Sequence, residues 1–402
     1  MISRTLVRST RLDRLPRREG VDDRAVAVAF TARLVDEVLS GAWDVLSPTF
    51  RRVFGLSLFQ LGLLWQVLDW VALVVEPISA SSIDHTSRRR LLAFGGAFCA
   101  ASVATMAVAP SYGVLLLGFA LYGVGSGPLA HTADVVVVEC FPGNAERAYS
   151  RSTMLDTIGA LLGPALIAAA GFADVSWRIV LVALAVMAAV HARTAARATF
   201  PEPARTRAHG ESVLRALVTG VHAALRERAI RRSLAVLLAF DAFEVAFVLE
   251  YVWLHDDVGL SEPQVALWAA AFYAVDLIAL LVLDRWLEDR EPRRILRAAS
   301  AALIVLPALW VAAPGIGGKI LVGIPLTFVS TFVWPLAKAR SLTAVPDLAG
   351  STQAITTLFA ILPLTLAETW LATAIGIGPA MAITAGAAAA LMVALLRPDD
   401  VS

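Results

Sequence analysis

The stretch Gly55–Leu61 reads GLSLFQL, and 204 residues later Gly259–Val265 reads GLSEPQV. The same offset lays Arg89–Leu92 (RRLL) on Arg293–Leu296 (RRIL), Asp84 on Glu288, Pro142 on Pro346 and Ala145 on Ala349. One constant offset that matches at three separate places implies a duplicated unit, with two halves laid out in the same order.

Composition decides the solvent around those halves. Of 402 residues, 58% are hydrophobic and 17% charged, against about 25% charged in soluble domains. The windows LLAFGGAFCAASVATMAVA from Leu91 and PAMAITAGAAAALMVALL from Pro379 carry no charge. Each matches the ~20 residues that cross a bilayer as a helix. The two cysteines, Cys99 and Cys140, are expected to be free thiols. Seven arginines crowd the first 24 residues without the apolar core of a signal peptide, so this segment reads as a solvated tail.

Apolar runs bounded by charges, Pro or Gly mark twelve crossings at about 25–46, 57–80, 91–109, 113–138, 151–172, 176–197, 232–254, 262–284, 295–313, 318–339, 351–375 and 379–396. With the N-terminus inside, 29 of the 34 lysines and arginines fall on the cytoplasmic side. Outside lie only Arg51, Arg52, Arg178 and Lys319, and Arg33 falls within the first crossing. That is the positive-inside bias of a membrane protein. The expected fold is therefore an all-α polytopic membrane protein, twelve transmembrane helices in two six-helix pseudo-symmetric bundles. Both termini are expected in the cytoplasm, and the membrane is expected to be the cytoplasmic (plasma) membrane. The expected divisions are a tail (1–24), a first bundle (25–198), a central cytoplasmic loop with an amphipathic helix (199–231) and a second bundle (232–397). The amphipathic face would carry Leu214, Leu217, Val218, Val221 and Leu225.

The first crossing, AVAFTARLVDEVLSGAW at residues 27–43, holds Arg33, Asp36 and Glu37 amid apolar residues. Each such charge costs ~2.5–3.5 kcal/mol on insertion scales, so these side chains must face the bundle interior. Asp69 and Glu76 lie seven residues apart on the second crossing, Asp241 and Glu244 one turn apart on the seventh, and Asp276 on the eighth. The 204 offset lays Glu37 on Asp241. A carboxylate buried without a partner takes up a proton. Arg33 can pair with Asp36 or with Glu37 four residues on, which leaves one acid over. Asp36 is expected to be tied to Arg33 for structure, and Glu37 to exchange protons.

Six plus six crossings, a long central loop and a basic loop after the second crossing resemble the major facilitator superfamily. The family's signature between helices two and three is Gly-x-x-x-Asp-Arg-x-Gly-Arg-Arg. Here Ala80–Arg90 reads ASSIDHTSRRR: Asp84, Arg88 and Arg89 match, whereas Ala80, His85 and Ser87 replace Gly, Arg and Gly. The fifth crossing carries GALLGP (Gly159–Pro164), which resembles a Gly-x-x-x-Gly-Pro motif common in exporters and antiporters, and the fourth carries GVGSGP (Gly123–Pro128). Small residues four apart also let helices pack closely, which is the plainer reading.

The resemblance implies that helices one, four, seven and ten line a cavity, and that two, five, eight and eleven pack between the halves. By it, Arg33, Asp36, Glu37, Asp241 and Glu244 are candidates for solute and proton binding. Asp69, Glu76 and Asp276 are candidates for gating between bundles. Asp84, Arg88, Arg89, Asp134 and Asp156 form the cytoplasmic gate, and Gly159, Gly163 and Pro164 the helix-five motif. The implied function is a secondary active transporter working by alternating access, proton-coupled and leaning to efflux by antiport. Solute symport and a non-transporting sensor are the alternatives.

The implied partners are a small solute, protons and the bilayer, for a monomer with no cofactor and no metal. An H-E-x-x-H pair, a phosphate-binding loop and a G-x-S-x-G elbow are all absent from the sequence, so no catalytic role is expected. The basic residues track topology and form no nucleic-acid patch.

Overall fold

The computed structural model describes residues 23–83, 87–140, 145–200, 221–343, 355 and 358–396, and among these there is no strand. The first half supplies α1 (Asp23–Asp44), the short α2 (Ser47–Phe54), α3 (Leu58–Ile83), α4 (Arg88–Val108), α5 (Tyr112–Cys140), α6 (Ala145–Phe172) and α7 (Trp177–Ala195). The second half supplies α8 (Arg228–Ala246), α9 (Glu250–Asp256), α10 (Glu262–Asp289), α11 (Pro292–Ala302), α12 (Leu306–Ala312), α13 (Gly315–Ser330), α14 (Val333–Thr343), α15 (Leu364–Ile375) and α16 (Ile377–Leu395).

The duplicated stretch has a local cause. Gly55 and Gly259 both adopt positive φ, +64° and +83°, a region where a Cβ is strained. Each glycine turns the chain into a helix that a Ser-x-x-Gln pair caps. The Ser57 N–H donates to Gln60 Oε1 at 3.0 Å and the Gln60 N–H to Ser57 Oγ at 3.1 Å. The Ser261 N–H donates to Gln264 Oε1 at 2.8 Å. The first pair is a reciprocal capping box; in the second, at the equivalent position, the Ser261 hydroxyl also donates to Gln264 Oε1, at 3.0 Å. Accordingly α3 and α10 begin 204 residues apart, as do α4 and α11.

Among the described residues, nine spans are long and apolar enough to cross a bilayer. Three expected crossings fall outside that set. Two of them, α1 and α8, hold the charged residues Arg33, Asp36 and Glu37, and Arg231, Arg232, Asp241 and Glu244. The third, α15, is short as described, 12 residues. Proline breaks two crossings of the second half. Pro307 and Pro335 cannot accommodate the carbonyls four residues back, and the helices stop at Ala302 and Ser330 and restart at Leu306 and Val333. Pro77, Pro128, Pro164 and Pro325 stay within helices, as membrane helices tolerate.

Packing divides the chain into two compact units. One takes in the described residues up to Gly55, those from Val67 to residue 200, and Ser261–Ala271; the other takes in Leu56–Gln66, residues 221–260 and those from Phe272 on. In the first unit α1 packs on α5, α6 and α7, and α4 lies against α5 and α7. Contact is backbone to backbone. A Cβ on Gly163 would meet Ala42 N and Val38 O at 2.6 Å, and one on Gly159 would meet Leu34 O at 2.7 Å. At the end of the short α2, outside the spans, Arg52 donates from Nε to Oε1 of Glu262, the first residue of α10, at 2.8 Å, and that bond raises the guanidinium above its usual range.

In the second unit α16 packs against α8, α15, α12 and α11. Lys319 clamps the end of α12: its Nζ donates to Trp310 O at 3.0 Å and Val311 O at 2.6 Å. The same ammonium lies 4.5 Å over the Trp253 ring. Of the expected amphipathic loop helix, Leu214, Leu217 and Val218 lie outside the described residues. Val221 packs against a buried cluster of Ala224, Ile230, Leu234 and Ile355, whereas Leu225 is exposed. The expected tail 1–24 is described only from Asp23 on.

Candidate functional site

The first unit gathers its charges around Arg33. The guanidinium reaches across from α1 to α6, where Nη2 donates to Asp156 Oδ2 at 2.9 Å and Nε to the same oxygen at 3.2 Å. Glu37 Oε1 and Asp134 Oδ1 each stand 3.9 Å from it. Three carboxylates from three helices thus share one guanidinium. A hydrogen-bonded, charge-assisted contact is the strong one of the three; the other two are ion pairs without a hydrogen bond.

This corrects the expected pairing. Asp36 takes its hydrogen bonds from neutral hydroxyls on α5, with Tyr122 donating to Oδ1 at 2.7 Å and Ser126 to Oδ2 at 3.0 Å. The Tyr122 hydroxyl also lies 2.8 Å from the Asp36 backbone carbonyl. Trp43 meets Tyr122 edge to face at 5.5 Å and so walls the pair. Spacing alone would allow either acid, since three and four positions both place side chains side by side; the Tyr122 and Ser126 hydroxyls of α5 hold Asp36, while Arg33 extends to Asp156 on α6 and Asp134 on α5.

Asp134 and Asp156, expected in a separate cytoplasmic group, belong with Arg33. Of the rest of that group, Arg88 is buried and Arg89 exposed, while Asp84 lies outside the described residues. Glu76 packs on α5, where a Cβ at Gly127 would meet its Cγ at 2.8 Å. Asp69 is partly buried on α3. Gly159, Gly163 and Pro164 form the seat of α6 on α1, with Pro164 Cδ about 3.0 Å from where a Gly41 Cβ would lie.

In the second unit Asp241 is partly buried and Glu244 exposed on α8. Asp241 and Asp276 both act electrostatically on Glu244. Asp276 accepts from Thr331 Oγ1 at 2.5 Å, at the break between α13 and α14. Among the described residues none of the three makes an ion pair. The sequence reading missed Glu368 of α15, 3% exposed. Its Oε2 accepts from Thr384 at 2.7 Å, and its Oε1 is buried without a hydrogen bond. Its signal was a single acid in the apolar run LTLAETWLATAI. Tyr122 and Ser126 gave none, because a hydroxyl in a greasy helix is unremarkable. Among the described residues no cluster could hold a metal ion.

The fold has counterparts among solved structures. The nucleoside transporter NupG superposes with a TM-score of 0.74 at 13% identity, over 94% of this chain and 100% of that one. A peptide transporter, POT, gives 0.71 at 14% identity over 95% and 96%, and a D-xylose-proton symporter gives 0.67 at 14% over 92% and 96%. No curated protein matches the chain in sequence. The family profile of the Major Facilitator Superfamily matches residues 27–367. Duplicated halves, apolar spans and that match together make this chain a member of the Major Facilitator Superfamily.

Proposed function

We propose that this membrane transporter couples movement of a small solute to protons, and that Glu37 is its exchangeable proton site. The carrying observation is the sharing of Arg33. Asp156 holds the guanidinium by two hydrogen bonds to one oxygen, and Glu37 competes from 3.9 Å. A proton on Glu37 cancels its pull and leaves Arg33 to Asp156 and Asp134; its departure restores a second anchor on α1. Protonation thereby changes how tightly α1 is tied to α5 and α6, which is the kind of differential contact that moves a two-state equilibrium.

In the first unit four carboxylates, Asp36, Glu37, Asp134 and Asp156, accompany one guanidinium. That excess favours a cationic or hydrogen-bonding solute over an anion. The helix-five motif supports export by antiport as the direction. Uptake by symport is the competing outcome, and the nucleosides, peptides and xylose in the names of the similar structures supply its candidate solutes.

Purified protein in liposomes with a trapped pH dye tests this reading. Ethidium, uridine, D-xylose and dialanine would each be added under an imposed pH gradient. At least one is expected to drive proton movement in protein-containing vesicles only. Ethidium moving against the proton gradient supports antiport, and xylose or uridine moving with protons replaces it by symport. Solute flux indifferent to pH would end the coupling proposal.

A further inference from the structure

The second unit holds a cavity of about 520 Å³ between α10, α11 and α13, lined by none of the acids of α8. Its wall is apolar, formed by Ile295, Ala298, Ala299, Phe328, Val329 and Phe332. Its polar lining is confined to four charged residues at one end, Asp289, Arg290, Glu291 and Arg294. A site for a soluble ligand places polar groups inside the pocket to orient it; this one places them only at the rim.

The rim belongs to the basic loop that leaves the span Glu262–Leu287 and enters the span Pro292–Ala312, so it stands at the level of lipid headgroups. The same helices leave further apolar side chains uncovered, Ile278 and Leu281 on α10 and Ile324 on α13. In a membrane such a surface faces acyl chains.

The charges at the rim are arranged for a phosphate. Arg290 Cζ lies over the Trp286 ring, 4.5 Å from its centre. Stacking fixes the plane of a guanidinium while its N–H edge stays available, and tryptophan itself favours the interface. Arg294 is steadied by Glu291, Nε to Oε2 at 3.0 Å. Two arginines are balanced by two carboxylates, so the rim as a whole complements a headgroup carrying both signs better than a purely anionic one.

We propose that this groove binds a zwitterionic phospholipid, with an acyl chain along Phe328 and Ala298, the phosphate at Arg290 and Arg294, and the ammonium toward Asp289. The proposal is independent of the transported solute. Full-length protein in detergent, incubated with dioleoyl phosphatidylethanolamine or dioleoyl phosphatidylglycerol, is examined by native mass spectrometry. The ethanolamine lipid is expected to be retained about tenfold better, equivalent to about 1.4 kcal/mol. Arg290→Ala should lower retention of both lipids. Asp289→Asn with Glu291→Gln should turn the preference toward the glycerol lipid.

Ala298→Trp, at an exposed position of the groove, should displace the bound lipid without lowering the melting temperature. Equal or better retention of the glycerol lipid by wild type would overturn the headgroup assignment. Unchanged lipid retention in a folded Ala298→Trp protein would overturn the site.

Discussion

Arg33 and Asp156 lie 123 positions apart in the chain, yet Asp156 is the closest partner of Arg33, at 2.9 Å from α1 to α6. The contact exists because Gly159 and Gly163 let α6 approach α1 to backbone distance. It anchors the cation that Glu37 and Asp134 also share. Asp156→Asn should therefore destabilise the protein by about 1.5–3 kcal/mol, the range for a hydrogen bond to a charged group. A fluorescence melting curve in detergent checks this, and a melt unchanged from wild type would show that Asp134 and Glu37 hold Arg33 equally well.

Asp36→Asn should behave differently. An amide oxygen still accepts from Tyr122, and the Ser126 hydroxyl can turn to accept from the new amide. The yield of folded protein should stay near that of wild type, while Asp36→Ala, which leaves both hydroxyls without their acceptor, should cost about 1–3 kcal/mol. Equal yields for the two variants would contradict the hydroxyl assignment.

The close seat of α6 makes its own prediction. Gly163→Ala would place a methyl 2.6 Å from Ala42 N and from Val38 O. Backbone cannot yield as a side chain does, so a loss of about 1–3 kcal/mol is expected. Gly113→Ala, with nothing near its Cβ, serves as the control and should be nearly silent.

Gly55→Ala and Gly259→Ala probe the duplicated turn. Neither Cβ would touch anything, so the cost is purely that of a left-handed backbone, roughly 1–2 kcal/mol. Matching losses at both sites, read from thermal melts, would reflect their equivalence. A loss at one site alone would show that the repeat is kept in sequence but not in energetics.

Much of the fold is legible in the residues alone. The GLS-x-x-Q repeat marks a left-handed turn and a capping box, both local in sequence, and so the offset of 204 passes directly into the helix starts. Apolar length marks the spans for the same reason. The partners of the charges are not legible in this way. Spacing along one helix offers Arg33 both Asp36 and Glu37, but Asp156 wins through packing between helices, which periodicity does not encode. Asp36 is assigned to Arg33 because the 204 offset sets Glu37 apart as the counterpart of Asp241, and its real partners, Tyr122 and Ser126, carry no charge to betray them. Glu368 escapes notice as a single acid without a charged neighbour in the sequence.

Topology offers a separate check on the reading of the charges. A cysteine replacing Arg290 should react with a membrane-impermeant maleimide only from the cytoplasmic side, and one replacing Asp257 only from the opposite side. Reaction of both from one side would break the arrangement of spans between them.

The central claim is that Glu37 binds the coupled proton by competing for Arg33, and Glu37→Gln tests it most directly. Once a transported solute is in hand from the liposome assay, two quantities are measured in the same vesicles: solute exchange at equal pH, and accumulation driven by a pH gradient. Glutamine keeps the size of the side chain but cannot gain or lose the proton. The account predicts exchange within about twofold of wild type, a change of well under ~1.4 kcal/mol, with accumulation abolished. Wild-type accumulation by Glu37→Gln would contradict it and leave the acid as scaffolding.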